Sequence, residues 1–251
     1  MQEPSTTKCN MLVHSFESLA ARDGDGLRYA VFLAGCPLRC IYCHNPDTWS
    51  AHSGKEYTNE QILKKILRCK PYMLAGNGGV TFSGGEPLLQ AEQLTPLIEQ
   101  LKKNGIGSCI DTSGNVPLSS AVQETLRACE SVILDLKFAK QEDYELFTGG
   151  SLQKTLDILA FLTANNIPCR IRTVIVPGIN DSRQKLAEYA ALLAAYKNGI
   201  IAWELLGFHT LGFVKYEALG IENPLAHKSA LSNDKLSELQ QIADTLLQQQ
   251  E

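Results

Sequence analysis

The chain alternates short apolar, β-rich runs with amphipathic helical patterns, and this alternation limits its folds more than any other feature. Strands are expected at 27–33, 80–83, 108–111, 131–136, 170–176 and 200–206, preceded by an extended run at 11–16. Helices fall between them. Thr58-Asn-Glu-Gln61 has capping-box spacing and opens one that runs to about Arg68. Leu94, Leu97, Ile98 and Leu101 recur at i, i+3, i+4 and i+7, one apolar face of a helix ending near Gly105. Further helices fit 118–128, 151–165 and 182–197. The last, about 232–249, aligns Leu236, Leu239, Ile242, Ala243, Leu246 and Leu247. With 251 residues, 44% of them hydrophobic, and no internal repeat, the expectation is a single domain over 1–251.

Six strands separated by helices imply a parallel sheet, because parallel neighbours need crossover connections. Six units are too few for a closed eight-stranded barrel. An open partial barrel and a doubly wound sheet both satisfy the pattern. In either, the site lies at the carboxyl ends of the strands. Ser83-Gly84-Gly85-Glu86, Asp111-Thr112-Ser113, Asp135 with Lys137, and His209 all stand there. The formal net charge of −4, from 23 basic and 27 acidic side chains, gives no electrostatic case for nucleic acid or an anionic membrane. Residues 1–10 are polar and no apolar run is long enough to span a bilayer, so the expected address is the cytoplasm.

The eight cysteines are unevenly spread. Cys109, Cys129 and Cys169 each adjoin an apolar run and read as small buried hydrophobes; Cys9 and Cys69 carry no readable signal. Cys36-Pro-Leu-Arg-Cys40-Ile-Tyr-Cys43 is different: three thiols in eight residues, in a loop spanning 34–49 after the first strand of the alternation. Thiolates are soft ligands for zinc, haem attachment or iron–sulfur clusters. Cys40-Ile-Tyr-Cys43-His44 also matches the haem-attachment pattern, but that reading requires export and leaves Cys36 idle. Adjacent Cys43 and His44 sit awkwardly in one zinc tetrahedron. Three thiolates on one cubane leave a fourth iron open to chemistry, and this reading accounts for all three.

C-x3-C-x2-C resembles the signature of radical S-adenosyl-L-methionine (SAM) enzymes, and the rest of the chain is similar to their glycyl-radical-enzyme activating family. The likeness rests on His14-Ser-Phe-Glu-Ser18, Asp23-Gly24 with Gly26 and Arg28, Tyr42-Cys-His-Asn-Pro-Asp-Thr-Trp49, Gly78-Gly-Val-Thr81 and Ser83-Gly-Gly-Glu-Pro87. It continues through Asp111-Thr112 with Gly114, Asp135-Leu136-Lys137, Arg172, Val176-Pro-Gly178, and Glu204-Leu-Leu206 followed by His209. The resemblance implies an α/β fold of the partial (β/α)6, TIM-like kind, with one 4Fe–4S cluster on Cys36, Cys40 and Cys43. It implies an oxidoreductase: an electron from the cluster splits SAM, and the 5′-deoxyadenosyl radical removes a glycine α-hydrogen from a partner enzyme.

By the same resemblance, Gly84 and Gly85 meet the methionine end of SAM, while Tyr42, Cys43 and His44 meet its adenosine. Asp135, Leu136, Lys137 and His209 complete the contacts. Asp111, Thr112 and Asp135 form a candidate monovalent-cation site, and Asp23 and Arg172 line the partner's groove. Glu86 reads as structural. The implied partner is pyruvate formate-lyase, or else another glycyl radical enzyme such as a dehydratase or decarboxylase, with flavodoxin or ferredoxin as electron donor. No further cysteine pair marks the ferredoxin-like insertion that many other activases carry, which favours pyruvate formate-lyase. The contrasting class is a non-catalytic haem or iron–sulfur electron carrier. Asp25 departs from the family's Asp-Gly-Pro-Gly, and Gly207-Phe208 from its Pro-Tyr.

Overall fold

The computed structural model describes residues 10–20 and 23–249, so Cys9 lies outside the described residues. Strands β1 (Asn10–Ala20), β2 (Arg28–Leu33), β3 (Lys55–Thr58), β4 (Val80–Gly84), β5 (Ser108–Thr112), β6 (Ser131–Asp135), β7 (Cys169–Ile175) and β8 (Ile200–Gly207) form one sheet in the order β3-β1-β2-β4-β5-β6-β7-β8. From β2 to β8 the neighbours are parallel, whereas β1 pairs antiparallel with both β2 and β3.

This order decides between the two architectures left open by the pattern. A doubly wound sheet reverses direction at a switch point, but here each crossover steps to the next strand on the same side. Right-handed connections then place every crossover helix on one face, and the sheet curls into an open six-stranded partial barrel. The helices are α1 (Asn59–Ala75), α2 (Ala91–Lys103), α3 (Ser120–Ala128), α4 (Gln141–Thr148), α5 (Leu152–Ala164), α6 (Arg183–Ala194), α7 (Phe213–Leu219) and α8 (Asn233–Gln248). Among the described residues, no helix is long and apolar enough to cross a membrane.

Successive residues of a strand point to opposite faces. The helix-facing set, Val31, Leu33, Val80, Phe82, Ile110, Val132, Leu134, Ile171 and Leu205, is apolar and buried. It packs against Ile62, Ile66, Leu94, Leu97, Leu126, Ile158 and Leu186 of the helices. The inner face carries Arg28, Thr81, Ser83, Cys109, Asp111, Asp135, Arg170, Arg172 and Glu204. A closed barrel fills its interior with branched apolar layers; this one has a polar, charged lumen.

The six expected barrel strands are present to within two residues at either end. Thr58 and Gln61 form the expected capping box: Gln61 N donates to Thr58 Oγ1 at 3.2 Å and Thr58 N to Gln61 Oε1 at 2.9 Å. That helix overruns its expected end near Arg68 and passes through Pro71 to Ala75. Burial of Met73 beside Ile62 and Ile66 outweighs the loss of one backbone hydrogen bond. β3, α4 and α7 are additional. β3 has no buried residue and forms through its pairing with β1.

Candidate functional site

The loop after β2 is fixed on both sides by backbone hydrogen bonds. Gly35 N donates to Thr48 O at 2.8 Å, and Cys36 N to Trp49 O at 3.1 Å, closing the loop base. Arg39 N and Ile41 N donate to Thr148 O and Phe147 O at the end of α4. On the opposite flank, Tyr216 Oη donates to Cys43 O at 3.0 Å, and Lys215 Nζ to Asn45 Oδ1 and Asp47 Oδ1 at 2.8 and 3.0 Å. Thus α4 and α7, which the hydrophobic pattern did not reveal, are the elements that hold the cysteine loop. The signals for them were Gly149 in the left-handed region at the end of α4 and the Lys215-Tyr216 pair.

Burial pushes the Cys36 thiol up to about 11 and the Cys40 thiol to about 12, and raises Cys43 as well. Lys137 pulls all three back towards thiolate. Its own ammonium is opposed by burial, yet Asp135 and Cys40 outweigh that and hold its pKa well above the usual value. Asp135 Oδ2 accepts from Lys137 Nζ at 2.5 Å. Tyr42 Oη is buried with no hydrogen-bond partner among the described residues.

Those residues also contain no group of three His, Cys, Asp or Glu arranged to grip a single metal ion. A cubane asks for something else: one thiolate for each of three irons. Three thiols on a backbone-fixed loop, one buried and two half-buried, under one shared cation, fit that demand.

The remaining expected residues arrive from other strand ends. At 84 and 85 glycine is needed because the chain itself is close. A Cβ at Gly84 would lie 2.4 Å from Leu33 N, and one at Gly85 2.2 Å from Gly35 O. Glu86 is fully buried, and its carboxylate accepts from Thr112 Oγ1 and Ser113 Oγ at 2.5 Å, Ser113 N at 3.0 Å and Leu88 N at 3.1 Å. Burial raises its pKa against these four bonds. Glu86 therefore ties the end of β4 to the end of β5.

Asp111 and Asp135 lie side by side on the neighbouring strands β5 and β6, on the lumen face and two residues apart in register. Burial first, and then the Asp135 charge, push Asp111 up to about 7, against Arg172 and a 2.9 Å bond from Ser83 Oγ. The Thr112 hydroxyl points to the other face, because neighbouring strand residues alternate, and donates to Glu86. Leu136 is buried in the apolar core.

His44 and His209 stack face to face, with centroids 3.8 Å apart and planes 4° from parallel, and His44 Nε2 lies 3.1 Å from His209 O. Burial first, and then the His209 charge, bring His44 down to about 4, so its ring is neutral at pH 7. Asp23 and Arg172 also come together: burial raises Asp23 while the Arg172 charge opposes it. Glu204, which sequence reasoning gave no role, accepts from Arg172 Nε at 3.1 Å and pairs with Arg170.

Residues 22–156 match a family described as a 4Fe-4S single cluster domain. The pyruvate formate-lyase-activating enzyme of Clostridium pasteurianum is 40% identical over 236 residues, covering 94% of this chain and 98% of that one. The pyruvate formate-lyase 1-activating enzyme of Escherichia coli K12 is 40% identical over 217 residues, covering 85% and 87%. Among solved structures, a domain of pyruvate-formate lyase-activating enzyme from Bacteroides vulgatus ATCC 8482 aligns with TM-score 0.55 and 24% identity over 67% of this chain and 94% of that one. A radical SAM methyltransferase from Sphaerobacter thermophilus aligns with TM-score 0.62 and 17% identity over 90% and 68%. At these identities the two structures speak for the fold.

Proposed function

Since the chain belongs to the pyruvate formate-lyase activating enzyme family of radical SAM proteins, we propose that it installs the glycyl radical of pyruvate formate-lyase. It would do so by reductive cleavage of SAM and removal of one glycine α-hydrogen. The observation that carries this reading is the junction of the three-thiol loop with a polar lumen, at the end of the barrel where sites form. Cys36, Cys40 and Cys43 would hold the 4Fe–4S cluster. When bound, the cluster supplies an electron and an open coordination position.

The chain's own work is binding, orientation and exclusion of water. The loop enters the site already fixed by β2, α4 and α7, so little ordering entropy remains to be spent on binding. Lys137, charged and part-buried, favours the thiolate state needed for ligation and offers a cation to the carboxylate or ribose of SAM. The turn at Gly84-Gly85 is held flat against Leu33 and Gly35, presenting backbone to the amino-acid end of SAM. His44, neutral and stacked on His209, joins the cysteine loop to the segment after β8; this is the adenosine side, to which Tyr42, its ring packed in the core against Phe138, would offer main chain. A monovalent cation between Asp111 and Asp135 would relieve their repulsion using two carboxylates, without the Thr112 hydroxyl. Asp23 and Arg172 would meet the glycine-bearing loop of the partner. Flavodoxin or ferredoxin is the proposed electron donor, and the cytoplasm the proposed location.

The test is anaerobic reconstitution with iron and sulfide, followed by dithionite, SAM and pyruvate formate-lyase. The reading expects 5′-deoxyadenosine together with a glycyl radical by electron paramagnetic resonance. SAM cleavage with no glycyl radical would reject this partner and point to another glycyl radical enzyme.

A further inference from the structure

Segment 23–26 precedes β2, yet it is tied to both halves of the open sheet. On the near half, Thr81 Oγ1 donates to Asp23 O at 2.5 Å. Arg28, buried at the start of β2, donates to Thr81 Oγ1 at 3.0 Å, Val80 O at 2.7 Å and Asp25 O at 3.4 Å. Gly26 has φ +72°, and a Cβ there would fall 2.2 Å from Asn77 O, so the backbone lies flat on the turn before β4.

On the far half, Asp25 Oδ1 accepts from Arg170 Nη2 of β7 at 2.9 Å. The Nη1 of Arg170 pairs with Glu204 Oε1, and Glu204 Oε2 holds Arg172 Nε at 3.1 Å. In the sheet β7 stands four places from β2, so the Asp25–Arg170 pair is a chord across the lumen and not an edge contact. Among the described residues β8 pairs only with β7. The hydrogen-bond ladder therefore leaves the separation of the two halves unset.

We infer that Asp25 and Arg170 are positioning residues: their ion pair spans the open barrel and fixes where Asp23 and Arg172 stand for the partner's glycine-bearing loop. The inference rests on the function proposed above. Position 25 is where the family pattern has proline, which stiffens a loop through its fixed φ. In this chain the restraint is electrostatic and reaches the opposite wall. Removing the Asp25 carboxylate leaves Arg170 to Glu204 alone, and so loosens the grip of Glu204 on Arg172. The Asp25 side chain is 81% exposed, so salt weakens the restraint and its effect is modest.

The experiment uses reconstituted protein and pyruvate formate-lyase, with two readouts: glycyl radical formation against partner concentration, and 5′-deoxyadenosine formed without partner. Asp25→Asn and Arg170→Gln are each expected to raise KM for the partner by about threefold with kcat held. Partner-free SAM cleavage stays at the wild-type rate, Asp25→Glu recovers the KM, and the double variant is no worse than either single one. High salt raises the KM of wild type but not that of Asp25→Asn. An unchanged KM in both single variants would overturn the inference, as would a fall in partner-free cleavage with KM unmoved. Absence of SAM cleavage or of a glycyl radical in wild type would count against the parent reading, and it shows before any variant is made.

Discussion

Cys36, Cys40 and Cys43, beyond the carboxyl end of β2, and Cys109, Cys129 and Cys169, towards the amino ends of β5, β6 and β7, all have their thiol pKa raised by burial, although Cys36 and Cys43 are only half-buried. Cys36 and Cys109 are both pushed up to about 11, and Cys40 and Cys169 both to about 12. What separates the two sets is their company. The first three share one loop and one cation, Lys137, which acts on each of them. The other three come from separate segments; Cys109 and Cys129 use their S–H groups as weak donors to Ile110 O and Leu126 O. A high thiol pKa marks burial at either end of a barrel. Convergence on one loop beside a part-buried cation is what supports the proposed ligand set.

The largest expected difference between the two ends is in iron. Cys40→Ala abolishes the iron–sulfur absorbance of the reconstituted protein, whereas Cys129→Ala keeps it. Next comes Glu86→Ala, which strands the four donors now satisfied by its carboxylate. It is expected to cost about 3 kcal/mol in urea unfolding of the apo-protein, because the hydroxyl hydrogens of Thr112 and Ser113 lose their acceptor in the interior.

Cys129→Ala should cost only about 1 kcal/mol, as the loss of one small buried group. The raised thiol pKa values also give a sign. Folding favours the neutral thiol, so this contribution is complete below the ordinary thiol range and is lost as pH climbs from about 9 towards 12. The melting temperature of the apo-protein should fall over that window, and less steeply in a Cys36→Ala, Cys40→Ala double variant. The smallest effect is that of Lys137→Gln. Without the shared cation, iron loading, which must expel thiol protons, shifts to higher pH in a titration of absorbance.

The cysteine loop, Glu86 and the six barrel strands were legible because each is written locally, in a spacing, a turn or an apolar run. The architecture became legible only through strand order, which no local pattern encodes. The direction of the Thr112 hydroxyl had no local signal: its chain neighbour Asp111 points into the lumen while the hydroxyl turns to Glu86. Arg170 and Glu204 sit within runs read simply as strands, and their charges become meaningful only when β7 and β8 pair in register with Arg172 opposite Glu204. The stacking of His44 on His209 links positions far apart in the chain and had no sequence signal beyond each residue's own motif.

The hydrogen removed is expected to come from the α-carbon of a glycine in the partner. Pyruvate formate-lyase prepared with α-deuterated glycine, activated by the reconstituted protein and SAM, measures this directly by mass spectrometry of the nucleoside product. One deuterium is expected in 5′-deoxyadenosine for each glycyl radical formed. 5′-Deoxyadenosine without deuterium, beside an equal yield of glycyl radical, would contradict it.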